Sequence, residues 1–433
     1  MKKLAALLPL VALLNAPLAA HADPKHPAWT RSANVYEVNL RQYSKEGTLN
    51  AFSASLPRLK QMGVDVIWLM PVHPIGKKNH KGTLGSYYAV GDYTAVNPEF
   101  GNVDDLRKLV KQAHALGMKV ILDWVGNHTA WDHPWVEQHP DWYKKDDKGE
   151  IHSVSFKNGA GETEEWNDVV ALDYANKDLW KGMTEAMAFW VRNADVDGFR
   201  CDAANFVPTE FWDQARAQLD KIKPVFMLAE ADDPALHAKA FDASYDWHLN
   251  TVMKKIGKGE AGAAELKAYL ANPPKTYSRD AYRLQFTNNH DINSWQGTDK
   301  ELYGPAWGAM TVLSYTLPGM PLVYGGQEAR LEKKLEFFEK DAIDWKSYEL
   351  EGFYAGLNAL KKQNPALWNG AAGGAVQLLD VGNDQLFAFK RQQGANNVRV
   401  IVNPTATLQK YKLAGDEGQA VLKPWRWRII VPE

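Results

Sequence analysis

The chain has 433 residues, of which 45% are hydrophobic and 24% charged, and its formal charge is -2. These values exclude a mostly disordered chain, a fibrous repeat and a protein of many membrane spans, and they supply no field that would draw nucleic acid. Trp is as common as Tyr, with 17 of each against 15 Phe; flat amphipathic rings suit the apolar faces of sugars as well as filling cores, so the excess raises the expectation of a carbohydrate partner.

Residues 1–22 read as a signal peptide. Met1-Lys2-Lys3 is a positive start, Leu4 to Leu14 is apolar, and Ala20-His21-Ala22 fits a small-x-small cleavage site. The apolar run is shorter than the roughly 20 residues a span requires and contains Pro9. The expectation is therefore export, periplasmic or secreted in the bacterial manner, without stable membrane insertion. Cys201 is the single cysteine, so no disulfide forms within the chain and stability has to come from a large core.

Eight short runs rich in Val, Ile and Leu then recur at 35–40, 65–72, 119–125, 198–203, 225–230, 243–245, 283–291 and 321–327. Their hydrophobicity is nearly continuous, as in parallel strands buried on both faces. Helical spacing lies between them: Leu56, Leu59 and Met62; Leu106, Leu109, Val110 and Ala113, with Gly117 as a stop; Phe211, Ala215 and Leu219. Alternating strand and helix predict an α/β fold, a (β/α)8 TIM barrel over 23–128 and 173–365. An open doubly wound sheet would show a Gly-rich phosphate turn after an early strand, and none is present. About fifty residues rich in Trp, His, Asp and Gly separate the third strand from the next helix, predicting a small excursion domain over 129–172. From 366 to 433, β-type segments at 386–391, 398–402, 409–413 and 425–431 predict an all-β sandwich domain.

In such a barrel, functional groups sit at the C-terminal ends of the strands. Five ends carry ionisable side chains: Asp123 to His128 after strand three, Arg200 and Asp202 on four, Glu230 on five, His290 and Asp291 on seven, and Glu328 beside Gln327 on eight. Charges on buried strands are costly, so carboxylates converging from strands four, five and seven imply chemistry. Two close carboxylates support a retaining glycosidase, one as nucleophile and one as acid/base. Arg200, two residues away, would hold Asp202 ionised as the nucleophile. Glu230 follows an apolar run that would keep its proton, as a general acid requires. Asp291 adds an anion where positive charge develops, and His128 and His290 can donate to sugar hydroxyls.

These segments resemble the conserved regions of the α-amylase family, glycoside hydrolase family 13. The stretch Asp123 to His128 matches the first region, Gly198 to Asp202 the second, Glu230 the third and Phe286 to Asp291 the fourth. Leu172-Asp173 resembles the extra region, and Gly85 to Tyr93 the stretch carrying a subsite tyrosine, Tyr88. The likeness runs in order over roughly 30–365. It implies hydrolysis of α-1,4-glucosidic bonds of starch, glycogen or maltodextrins, with Asp202, Glu230 and Asp291 catalytic and Tyr88, His128, Arg200, His290 and Asp123 binding substrate. The alternatives are a glucanotransferase using the same site and a catalytically silent glycan-binding protein. Trp124, Trp131 and Trp295 either line further subsites or fill the core. The resemblance also implies a structural calcium ion at Asn127 and Asp173, two residues that serve equally as structural hydrogen-bonders, and no organic cofactor. The family's usual Lys-His near the leaving-group subsites is replaced here by Asn205-Phe206. The basic run Lys77-Lys78 with His80-Lys81 reads as a solvated loop, and Cys201, facing away from Asp202, as a packed thiol.

Overall fold

Eight parallel strands, β1 to β8 in chain order, close into a barrel: Val35–Val38, Val66–Leu69, Lys119–Val125, Gly198–Asp202, Phe226–Ala229, Ala243–Tyr245, Tyr282–Gln285 and Met320–Tyr324. The computed structural model describes residues 26–157, 160–415 and 417–432, so the leader read at 1–22 lies outside them. Each strand pairs with the next, and β8 closes on β1 through Val35↔Leu322 and Glu37↔Tyr324. These are the eight apolar runs of the sequence. They read as continuous because barrel filling covers one face and helices the other.

The helices follow their sequence signals. Val103–Ala115 opens on a capping box in which Asn102 accepts from the Asp105 N–H and Asp105 from the Asn102 N–H, and it stops before Gly117, which takes φ +71°. Lys177–Ala194 and Thr209–Leu219 follow β3 and β4 and bury the expected apolar stripes. The strand-then-helix rule breaks once. Among the described residues only a single 3-10 turn, Pro234–Ala238, joins β5 to β6. The connection, 230–242, carries Asp232-Asp233-Pro234 at the start of that turn.

Between β3 and Lys177–Ala194 the chain leaves the barrel. It forms a three-stranded antiparallel sheet of His128–Ala130, Ser153–Lys157 and Thr163–Ala171. The basic run that read as a solvated loop is tied to it instead. Lys81 Nζ lies 2.8 Å from Asp168 Oδ1, and Lys78 sits over the Trp131 ring at 5.1 Å.

After the helix Glu351–Gln363 comes a four-stranded antiparallel sheet of Val376–Leu378, Phe387–Gln393, Asn396–Val402 and Trp427–Ile430, with a two-stranded ribbon of Gln409–Tyr411 and Ala420–Leu422. Alternation decides its two faces. Phe387, Phe389, Val400 and Val402 join the barrel core, while Ala388 and Ile401 pack on Tyr411 and Leu422 of the ribbon. No described helix is long and apolar enough to cross a membrane.

Candidate active site

The same period of two builds the site. Residues i and i+2 of a strand share a face, so Arg200 and Asp202 both point into the barrel, and Cys201 between them is buried in the core on the other face, as a packed thiol. Register places Asp123 of β3 opposite Arg200 of β4, and Arg200 opposite Leu228 of β5, two residues before Glu230. Arg200 is fully buried and gathers the acids. Nη1 donates to Asp123 Oδ1 and to Asp202 Oδ1, both at 3.0 Å, and Nε donates to the Tyr245 hydroxyl at 3.2 Å. Nη2 lies 2.9 Å from Glu230 Oε1, a contact of charge rather than an aligned hydrogen bond.

Glu230 is held a second time. Its Oε2 accepts the Ala203 N–H at 2.9 Å, an N–H aimed there because Ala203 adopts φ +42° immediately after β4. The third acid, Asp291, does not extend β7. The strand ends at Gln285 because the next carbonyls turn to side chains: Asn250 donates to those of Phe286 and Thr287, and the Tyr303 hydroxyl to that of Thr287. The freed segment carries His290 and Asp291 to the mouth of the barrel. Asp202, Glu230 and Asp291 line one cavity of about 410 Å³, with Tyr88, His128 and His290 on its walls.

Burial dominates the electrostatics. It pushes Asp202 up to about 6, with Arg200 pulling down and Asp123 and Asp291 pushing up again. Glu230 rises further, to about 7, through burial and the Asp202 and Asp291 charges, against Arg200. Asp123 reaches about 6 by burial, opposed by Arg200. Arg200 pulls Asp202 toward ionisation, as its place two residues away implies, but loss of hydration outweighs the pairing and leaves the group above the usual carboxylate range. The order survives, with Glu230 the last to ionise. His128 goes the other way, as burial lowers it to about 4 and keeps it neutral.

Residues 30–374 match the family model described as the α-amylase catalytic domain. The chain belongs to the α-amylase family. It is 30% identical over 428 residues to an α-1,4-glucan:maltose-1-phosphate maltosyltransferase of Rhodospirillum rubrum, covering 89% of this chain and 59% of that one. It is 27% identical over 411 residues to the α-amylase MalA of Haloarcula japonica, covering 90% and 58%. The chain thus spans about six tenths of the length of these curated relatives. A solved α-amylase from Lactobacillus plantarum superposes with a TM-score of 0.82 at 28% identity, covering 94% of this chain and all of that one. A maltogenic α-amylase, AmyB, from Thermotoga neapolitana gives 0.79 at 29%, covering 93% and 96%.

Within this α-amylase-family fold, the eight catalytic and substrate-binding residues read from the sequence come together. Tyr88 donates its hydroxyl to Asp123 Oδ2 at 3.2 Å, and its ring lies parallel to His290 at 5.5 Å. Glu328 stays outside the cleft and serves structure, accepting from Tyr36 at 2.5 Å and from Arg58 at 3.0 Å. Of the tryptophans, Trp124 is core, fully buried and stacked on Tyr93 at 5.0 Å. Trp131 donates to the Asn167 carbonyl. Trp295 alone of the three lines the cleft, 55% exposed and 5.4 Å from the Phe337 ring.

Asn127 turns its amide nitrogen to His128 Nδ1 at 3.2 Å, and Asp173 accepts the Ala175 N–H at 3.0 Å. Among the described residues no three His, Cys, Asp or Glu side chains gather into a group that could hold a metal. Calcium takes six to eight oxygens, backbone carbonyls among them, and Asn127 and Asp173 offer one side chain each toward such a set. Sequence reasoning missed Phe337 and Phe338, on a loop after β8 without any motif. It also missed Trp68, whose Nε1 donates to Asp123 Oδ2 at 3.1 Å, and Glu37. Only Glu37 left a signal, a lone acid in the apolar run 35–40.

Proposed function

We propose that the protein is an exported retaining glycoside hydrolase that cleaves α-1,4-glucosidic bonds of starch, glycogen or maltodextrins by double displacement. The observation that carries this reading is one buried guanidinium, that of Arg200, holding Asp202 and Glu230 on adjacent terminal nitrogens, with Asp291 in the same cleft. That arrangement favours the short carboxylate separation of retaining enzymes, about 5–5.5 Å, over the wider one of inverting enzymes. Glu230, the last acid to ionise, gives its proton to the leaving oxygen while the Asp202 carboxylate attacks the anomeric carbon. A covalent glycosyl ester forms at Asp202. Glu230, now a carboxylate, takes a proton from water, and the hydroxide attacks the same carbon and frees Asp202. Asp291 and Asp202 lie where the sugar ring gains positive charge. Tyr88, His128 and His290 bind the ring undergoing attack.

Asp202→Asn is expected to lower kcat by roughly 10⁴-fold while leaving folding and maltotriose binding in place; turnover near that of the unaltered protein would remove the nucleophile. Anomeric configuration read by NMR during maltotriose or amylose cleavage should show retention, and an inverted product would end the double-displacement reading.

A second reading is glucanosyl transfer by the same intermediate, with a sugar hydroxyl replacing water. It is favoured by the maltosyltransferases among the relatives. Oligomers longer than maltotriose, early in reaction with maltotriose alone, would select it. The silent glycan-binding alternative has no feature in its favour, since all three acids stand in the cleft.

A further inference from the structure

Glu37 lies in β1, fully buried, with its carboxylate pointing toward the barrel interior beneath the cleft. Its Oε1 is 2.5 Å from His290 Nδ1, and its Oε2 has no hydrogen-bond partner among the described residues. A carboxylate in such a place serves the one group it touches.

The acceptors around the ring favour a hydrogen on each nitrogen. Nε2 of His290 faces the Tyr88 oxygen at 2.7 Å and the carboxylate oxygen Asp291 Oδ2 at 3.3 Å. A hydrogen on Nε2 serves both, with the Tyr88 hydroxyl donating onward to Asp123 Oδ2 at 3.2 Å. On the other side of the ring, Nδ1 meets the Glu37 carboxylate and carries one too. Both nitrogens are donors only in the imidazolium form.

We propose that Glu37 is a positioning residue of this active site: it accepts the Nδ1 proton of His290 and thereby keeps the ring doubly protonated, with Nε2–H presented to the cleft side. The other groups facing the ring divide. The Asp291 carboxylate, 3.3 Å from Nε2, favours the charged ring, Trp68 meets it edge-on at 5.9 Å, and the Arg200 guanidinium opposes the charge. Burial alone would lower His290, yet the Asp291 and Glu37 charges outweigh it and raise the group to about 9. A neutral ring could rotate or change tautomer; an imidazolium fixed at Nδ1 cannot, and it gives a fixed donor to a sugar hydroxyl. The effect on turnover rests on the hydrolase reading above, whereas the protonation state does not.

The test uses the full chain with ¹⁵N-labelled histidine, followed by NMR from pH 6 to 8. Both nitrogens of His290 are expected to stay protonated throughout. In Glu37→Gln, His290 should lose a proton within that range. The ratio of unaltered to variant kcat/KM for maltotriose should reach roughly tenfold or more at pH 8 and shrink toward pH 6, where the imidazole regains its charge. Glu37→Asp, which retains the carboxylate, should keep His290 doubly protonated. A neutral His290 in the unaltered protein at pH 7 overturns the proposal, as does a Glu37→Gln ratio that is independent of pH. If Glu37→Gln does not fold, the spectra of the unaltered protein and Glu37→Asp decide alone. If the protein turns over no α-glucan, the hydrolase reading fails while the nitrogen spectra still judge Glu37.

Discussion

At Asp202 two opposing effects meet, an ion pair with Arg200 at 3.0 Å and nearly complete loss of water, and the loss of water prevails. The consequence is a narrow working range. Asp202 has to be ionised, above about 6, and Glu230 protonated, below about 7. The pH profile of kcat/KM for maltotriose is expected to be a bell with limbs near those two values; a plateau from pH 5 to 9 would refute the paired assignment. The same shifts govern stability. Unfolded, these carboxyls ionise near pH 4 (roughly), so between there and the folded values the native state binds more protons. Their contribution is complete below the unfolded values and is lost as pH rises through about 6 to 7. Glu230→Gln should therefore raise Tm at pH 8, by roughly 1–3 °C, and less at pH 5, while abolishing turnover. Calorimetry at the two pH values checks the sign.

At the scale of elements, β4 is the strand on which the site depends, and both of its ends are specialised. Gly198 opens it at φ +154°, and a Cβ there would stand 1.9 Å from the Phe226 carbonyl oxygen of β5. The two backbones touch where a side chain would be, and the contact sets the register that brings Arg200 opposite Leu228. Gly198→Ala is expected to cost about 3 kcal/mol and to lower activity along with it, since Asp202 and Glu230 would lose alignment. Soluble yield and the thermal midpoint measure this, and an unchanged midpoint would show that the strands can separate freely. The excursion sheet acts on the same cleft from above. Its Trp166 and Asp168 face the cavity, and the pairing of Lys81 with Asp168 ties that wall to the loop carrying Tyr88.

At the scale of the whole molecule, a cation without an acid partner stands in the seam between the barrel and the C-terminal sheet. Arg391 is fully buried and donates only to carbonyls, those of Gly374, Thr316, Leu317, Leu367 and Trp368. Burial lowers it to about 9, so it remains charged at neutral pH. Arg391→Met would remove the shared donor from those carbonyls in a buried seam, where that of Leu367 keeps Lys361 Nζ at 2.7 Å. It is expected to destabilise the protein by about 2–3 kcal/mol with kcat at 25 °C unchanged, because none of the partners lines the cleft. A fall in kcat without a fall in Tm would mean that the C-terminal sheet acts on the site directly.

Read from the letters alone, the chain already declared eight buried strands, the excursion, the β-rich end and three acids at strand termini. Those features depend on local hydrophobic pattern and on residue type at a strand end, and both are written along the chain. Even the opposite facing of Cys201 and Asp202 needed nothing beyond a period of two. Distance was what the letters could not carry. The end of β7 at Gln285 depended on Asn250 and Tyr303, remote side chains that took its carbonyls. The aromatic wall of Phe337 and Phe338 belonged to a loop without pattern. At Asp202 the pull of Arg200 is legible two residues away, while the burial that outweighs it is a sum over the whole surrounding barrel. Glu37 shows the division most clearly: one acid in an apolar strand was legible, but its partner stands 253 positions away, and only the closing of β8 on β1 brings β7 and its loop within reach of it.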